Sequence, residues 1–115
     1  AVVGNLLPDS YPSKKIAMDF VSKYDKAYGA GTANQFAGHA YDVAIVLEKV
    51  IPVALKKAKP GTPQFRAALK DAIEGMGRTV FAHGVMNWNK DDHWGYTPET
   101  GVMLKVVNGD WALAN

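Results

Sequence analysis

The side chains with the most chemical potential in this sequence are few and widely spaced. Asp91-Asp92-His93 sets two carboxylates beside an imidazole, a donor set that could hold a hard cation or move a proton. Adjacent residues in a loop do not converge easily on one ion, and no further ligand is spaced nearby. The run therefore reads as a turn, for which Asp is a common former. His83 stands between two apolar stretches and reads as a satisfied, partly buried histidine. Gly29-Ala30-Gly31 follows a helical pattern instead of joining a strand to a helix, so it reads as a helix stop and not as a phosphate loop. The sequence holds no G-x-S-x-G, P-loop, G-x-G-x-x-G or H-E-x-x-H motif. Cysteine is absent, which excludes disulfides, thiolate metal sites and a cysteine nucleophile. No catalytic residue, metal ligand or cofactor is assigned, and a free-standing enzyme built on Asp91, Asp92 and His93 lacks a supporting motif.

Two aromatic groups suit binding better than catalysis. Phe36, His39, Tyr41 and Asp42 fall in the first turns of an apolar helical pattern. Phe36 and His39 share a face, as do His39 and Asp42. Aromatics beside a helix N-terminus can line a pocket for an anion, because the free N–H groups there favour negative charge. The plainer reading makes Phe36 and Tyr41 core and lets Asp42 support the first turn through the helix dipole. Trp88, Trp94, Tyr96 and Trp111 make the C-terminal third aromatic. Such residues stack on bases or sugars, but packing under a sheet is the plainer account.

The elements that must position these groups follow from the patterning. Ala1 to Leu7 is an apolar run ending at Pro8, which suits a buried strand. Ser13 to Tyr28 places Ile16, Ala17, Phe20, Val21, Tyr24, Ala27 and Tyr28 on one helical face, with Ser13 as N-cap and Gly29 as stop. Asn34 to Ala58 predicts a longer helix, apolar nearly all round, buried on more than one side, and kinked or broken at Pro52. Its charges and length do not suit a membrane span, which needs about 18 apolar residues. Thr62-Pro63 opens a third helix with Phe65, Ala68, Leu69, Ala72, Ile73 and Met76 inward, ended by Gly75 and Gly77. Val80 to Trp88 and Gly101 to Val107 read as strands, with a hairpin turn at Asn108-Gly109 and a short return strand from Trp111. Asn89 to Thr100 reads as a polar loop.

The 115 residues fit a single domain. Hydrophobic residues at 48% and charged residues at 21% are close to soluble globular averages and argue against disorder. A net charge of +2 with scattered basic residues lacks the basic stripe of a nucleic-acid module.

The order of the pieces resembles the C-terminal part of the type I periplasmic binding proteins, the ABC-transporter solute receptors of the branched-chain amino acid kind. Three features carry the resemblance. FVSKYDKAYG (Phe20 to Gly29) is followed after a short loop by FAGHAYDVAIVLEKVI (Phe36 to Ile51). The capped helix TPQFRAALKDAIEGM comes next. The ending HGVMNWNKDDHWGYTPETGVMLKVVNGDW holds a D-H-x-G turn (Asp92, His93, Gly95) and a K-V-x-x-G-x-W close (Lys105, Val106, Gly109, Trp111).

The resemblance implies an α/β class: the C-terminal part of a two-lobed fold, with three helices flanked by a short N-terminal strand and C-terminal strands. Residues 1–12 would be a strand and crossover, 13–77 the helical part of the first lobe, and 78–115 the strands crossing back to the second. It implies a ligand-binding role for Phe36, with His39 and Tyr41 near the same helix start and Tyr11 on the Pro8–Tyr11 crossover. It makes Asp92 and His93 structural. The expected function is an extracytoplasmic solute-binding component of an ABC importer for amino acids or related carboxylate or aromatic compounds, handing its solute to a membrane permease. The alternative is a ligand-sensing domain of a signalling receptor with the same fold. Because residue 1 is Ala and most of the two lobes would lie elsewhere, the chain is expected to be a fragment that exposes apolar helix faces and self-associates.

Overall fold

The computed structural model describes residues 2–114. Four helices come first: α1 (Val3–Leu6), α2 (Lys14–Tyr28), α3 (Gln35–Leu55) and α4 (Pro63–Glu74). Two hairpins follow. Strands β1 (Thr79–Phe81) and β2 (Gly84–Met86) form the first, and β3 (Leu104–Val107) and β4 (Asp110–Leu113) the second. A 3-10 turn, Pro98–Thr100, lies between them. The α/β class and the order of three long helices before the C-terminal strands follow the expectation from sequence.

The helix ends show why these segments are helical. Asn34 Oδ1 accepts from the Ala37 N–H at 3.0 Å, and Thr62 Oγ1 accepts from the Phe65 N–H at 3.1 Å. Both satisfy donors that a helix start leaves free. Ser13 takes the N-cap position of α2 without a side-chain bond to the helix. Gly29, at φ 105, donates its N–H to the Asp25 carbonyl and ends α2. Asp25, on the nominally solvent-facing side, ties down the next loop by accepting from Gly31 and Ala33 N–H at 2.9 and 3.0 Å.

Four sequence expectations are corrected. The N-terminal run forms a helical turn over Val3–Leu6, not a strand; Ala1 lies outside the described residues. A short apolar run does not distinguish strand from helix by itself. Here Gly4 allows α1 to lie against α2, where an added Cβ would sit 2.1 Å from the Ala17 Cβ. Helix α3 is not broken at Pro52, and it stops at Leu55 and not at Ala58. The lost N–H lies in the last turns, where the interruption of the ladder is least damaging. Val80 to Trp88 is not one strand but a hairpin turning at Ala82-His83. Gly84 permits the turn at φ 135, with its missing Cβ position only 2.3 Å from the Thr100 methyl.

The fourth correction concerns burial. The core holds Val2, Ala17, Phe20, Val50, Ala54, Ala68, Phe81, Ala82, Val85 and Met86. Helix α3 packs on α4 and α2, yet it is not enclosed on several sides. Phe36, Val43, Leu47, Ile51 and Leu55 are exposed along it, consistent with the expected open apolar faces. The second hairpin behaves as read from Asn108-Gly109: both residues have positive φ (53 and 82), the geometry of a tight turn matched to strand twist.

Candidate functional site

The α3 N-terminal half and the first hairpin meet at one buried carboxylate. Asp42 is 6% exposed. Its Oδ1 accepts from the Ala82 N–H at 2.8 Å, and its Oδ2 accepts from the His83 N–H at 3.1 Å and pairs with His83 Nδ1 at 3.0 Å. A carboxylate buried this deeply needs such donors to offset lost hydration. Because Oδ2 is an acceptor, His83 carries its proton on Nδ1. His83 Nε2 is buried and has no partner among the described residues. The histidine is therefore buried as expected, but only half satisfied.

His39 lies one turn before Asp42 and stacks on His83, with ring centroids 4.1 Å apart and planes inclined by 22°. Gly38 makes room, since a Cβ there would fall 2.0 Å from the His83 ring. Burial and the neighbouring His83 hold the His39 pKa below the ordinary histidine value, against a smaller opposing pull from Asp42. The two histidines line a groove of about 500 Å³ together with Gln35, Trp94, Tyr96 and Pro98. Trp94 and Tyr96 pack at 5.1 Å, and Trp94 stays 76% exposed. The groove offers aromatic faces with few charges, a surface suited to gripping an organic solute.

The other residues singled out in the sequence are spread around this joint. Phe36 projects from the first turn of α3 and is 84% exposed. Tyr41 turns the other way, packing on Phe20 at 5.4 Å and donating its hydroxyl to Asp19 Oδ2 at 3.1 Å. Asp19 is held below the usual carboxylate range by Lys23 and then by Tyr41. Tyr11 lines a separate narrow slot with Val3, Leu7, Ala82 and His83. Phe36, His39, Tyr41 and Tyr11 thus do not share one groove in this chain.

The triad His39, Asp42 and His83 brings three possible ligand atoms within 4.8 Å of one another. Asp42 already accepts from three N–H groups, and stacked rings direct their lone pairs along nearly parallel planes, so the set does not converge as a metal centre would. The Asp91–His93 run is a turn. Asn89 Oδ1 accepts from Asp91 and Asp92 N–H, and Asp92 Oδ1 accepts from Trp94 and Gly95 N–H, all between 2.8 and 3.1 Å. His93 instead reaches Glu74 Oε1 at 2.9 Å.

Sequence reading missed Asp42 as a buried clamp, and Gln35 altogether. The available signal was an Asp inside an otherwise apolar helix, which must find donors if its face is covered.

Solved structures provide the comparison. An extracellular ligand-binding receptor from Rhodopseudomonas palustris matches 99% of this chain at 38% identity and a TM-score of 0.87, and the chain covers 32% of it. A receptor of the same description from strain HaA2 matches 97% at 36% identity and 0.86, with 31% of its own length covered. Another from HaA2 matches 94% at 35% identity and 0.82, with 30% covered. The chain therefore spans about a third of the length of the structures it matches. No protein-family profile and no curated protein matches it.

Proposed function

Because this chain belongs to the extracellular ligand-binding receptors of the type I periplasmic-binding-protein kind, we propose that it supplies one wall of the solute cleft of an extracytoplasmic, non-enzymatic receptor. The observation that carries this reading is the likeness across 99% of the chain at 38% identity. The groove beside His39 and the exposed ring of Phe36 support it from the residue side.

In this reading residues 13–77 belong to the first lobe. Residues 1–12 form a crossover, and 78–115 lead back to the second lobe. The cleft closes by hinge motion at the crossovers, and solute shifts the open–closed equilibrium by binding the closed form better. A membrane permease of an ABC importer then reads the closed form. The solute is an amino acid or a related carboxylate or aromatic compound. Phe36 and His39 contact it at the α3 start, Tyr11 lies on the crossover, and Tyr41 braces α3 against α2.

Calorimetry on the full-length protein with a panel of amino acids and aromatic acids tests this. Saturable binding of one class is expected, weakened roughly tenfold by Phe36→Ala. Absence of binding across the panel would defeat the solute assignment. Unchanged affinity in the variant would remove Phe36 from the site.

A further inference from the structure

Most of the residues that line the groove beside the histidines come from one segment, Trp94 to Val102. Its regular structure is limited to a bridge between Tyr96 and Met86 and the Pro98–Thr100 turn. A segment with so little ladder needs another anchor to hold a fixed position.

The anchor is the outer edge of β2. Phe81 and Gly84 flank the two-residue turn of the β1–β2 hairpin, so the next residue, Val85, turns its N–H and C=O away from β1. Val85 is 2% exposed, and edge groups out of reach of water need partners. A third strand would supply both; here two threonines do, largely through their side chains. Thr100 Oγ1 accepts from the Val85 N–H at 3.1 Å and donates to the Val85 carbonyl at 2.7 Å. Thr97 donates its hydroxyl at 2.9 Å and its N–H at 3.2 Å to the same carbonyl. The Thr100 hydroxyl thus fills both the donor and the acceptor role of a neighbouring strand residue. Gly84 permits the approach, because a Cβ there would lie 2.8 Å from the Thr100 oxygen. The Arg78–Glu99 pair beside it is exposed and contributes little by itself.

We propose that Thr100, supported by Thr97, is a positioning residue of the groove: its hydroxyl stands in for a third strand at the edge of β2 and fixes the segment that carries Trp94 and Tyr96. Removing the hydroxyl leaves the Val85 N–H without an acceptor, so the segment loosens from β2 and the two rings lose their fixed place. The consequence for solute rests on the receptor reading above, whereas the anchor itself does not. Affinity for a ring-bearing solute falls, because order that the anchor supplied beforehand must then be imposed on binding.

The test uses the full-length protein and two variants. Thr100→Val keeps the side-chain shape without the hydroxyl, and Thr100→Ser keeps the hydroxyl. In NMR, exchange of the Val85 amide should rise roughly tenfold in Thr100→Val and stay within about threefold of the parent in Thr100→Ser. The Trp94 indole signal and its contacts to the Tyr96 ring should change in Thr100→Val alone, while the Trp111 indole on β4 stays unmoved. Calorimetry with benzoate and phenylalanine as probes should show affinity lowered roughly fivefold in Thr100→Val and restored in Thr100→Ser. An unchanged Val85 amide, Trp94 signal or probe affinity in folded Thr100→Val would overturn the assignment. So would a Thr100→Ser variant that behaves as Thr100→Val does. A Val85 amide that exchanges as an unbonded one in the unaltered protein would also overturn it, and that measurement needs no variant to fold. If neither probe binds the unaltered protein while the Val85 and Trp94 signals behave as expected, the solute reading fails and the anchor stands.

Discussion

At the scale of single residues, Asp42 organises more of the structure than any residue chosen for its chemistry. Three N–H groups would lose their acceptor in Asp42→Ala. Buried unpaired donors cost about 1–3 kcal/mol each, so a loss on the order of 3 kcal/mol is expected in chemical denaturation. Asp42→Asn keeps one acceptor oxygen and should lose less. Equal losses would show that the charge, not the geometry, carries the joint. Gly38→Ala is a sharper steric probe. Its methyl would press on the His83 ring, and a cost of about 1–3 kcal/mol follows. A variant as stable as the parent would mean that the ring can move aside.

Among the elements, the Thr62 cap read from sequence is observed, and the structure adds Asn34 as the cap of α3. Asn34→Ala and Thr62→Ala should each destabilise by about 1 kcal/mol, measured as a shift in denaturation midpoint at constant slope. Ser13→Ala tests a contrast, since its hydroxyl makes no cap bond and its removal should cost less than either. Short apolar segments were harder to read than caps. The Val3–Leu6 stretch and the Ala82-His83 turn depend on contacts from distant residues: Ala17 beneath Gly4, and Asp42 and Thr100 around the hairpin. Local patterning carries no signal for partners 13 to 41 positions away. The α4 stripe needed no such help, because its period and its cap agree.

For the whole molecule, shape is informative. The radius of gyration is 16.3 Å, with extents of 52 × 32 × 21 Å. A compact domain of about this length has roughly 13 Å. The excess goes with an apolar stripe left open on α3, where Val43, Leu47, Ile51 and Leu55 recur every fourth residue and are 36–56% exposed. Patches of this kind mark surfaces that another chain or lobe covers. The isolated chain is expected to self-associate in sedimentation velocity, and Leu47→Lys should shift it toward monomer. A monomer at all concentrations would contradict this, whereas an unshifted oligomer would move the contact to another face. In the receptor reading the same stripe is covered by the rest of the protein.

The sequence by itself determined the three long helices, the stops of α2 and α4, the Asn108-Gly109 hairpin, the turn at Asp92 and the family resemblance. These depend on periodicity, capping and turn chemistry, which act over a few residues. It could not place Tyr41 against α2, join Asp42 to the hairpin amides, or stack His39 on His83. Those arrangements pair residues 22 to 44 positions apart. Only the tertiary structure decides them, because a buried polar group takes its partner from whichever backbone the packing brings near.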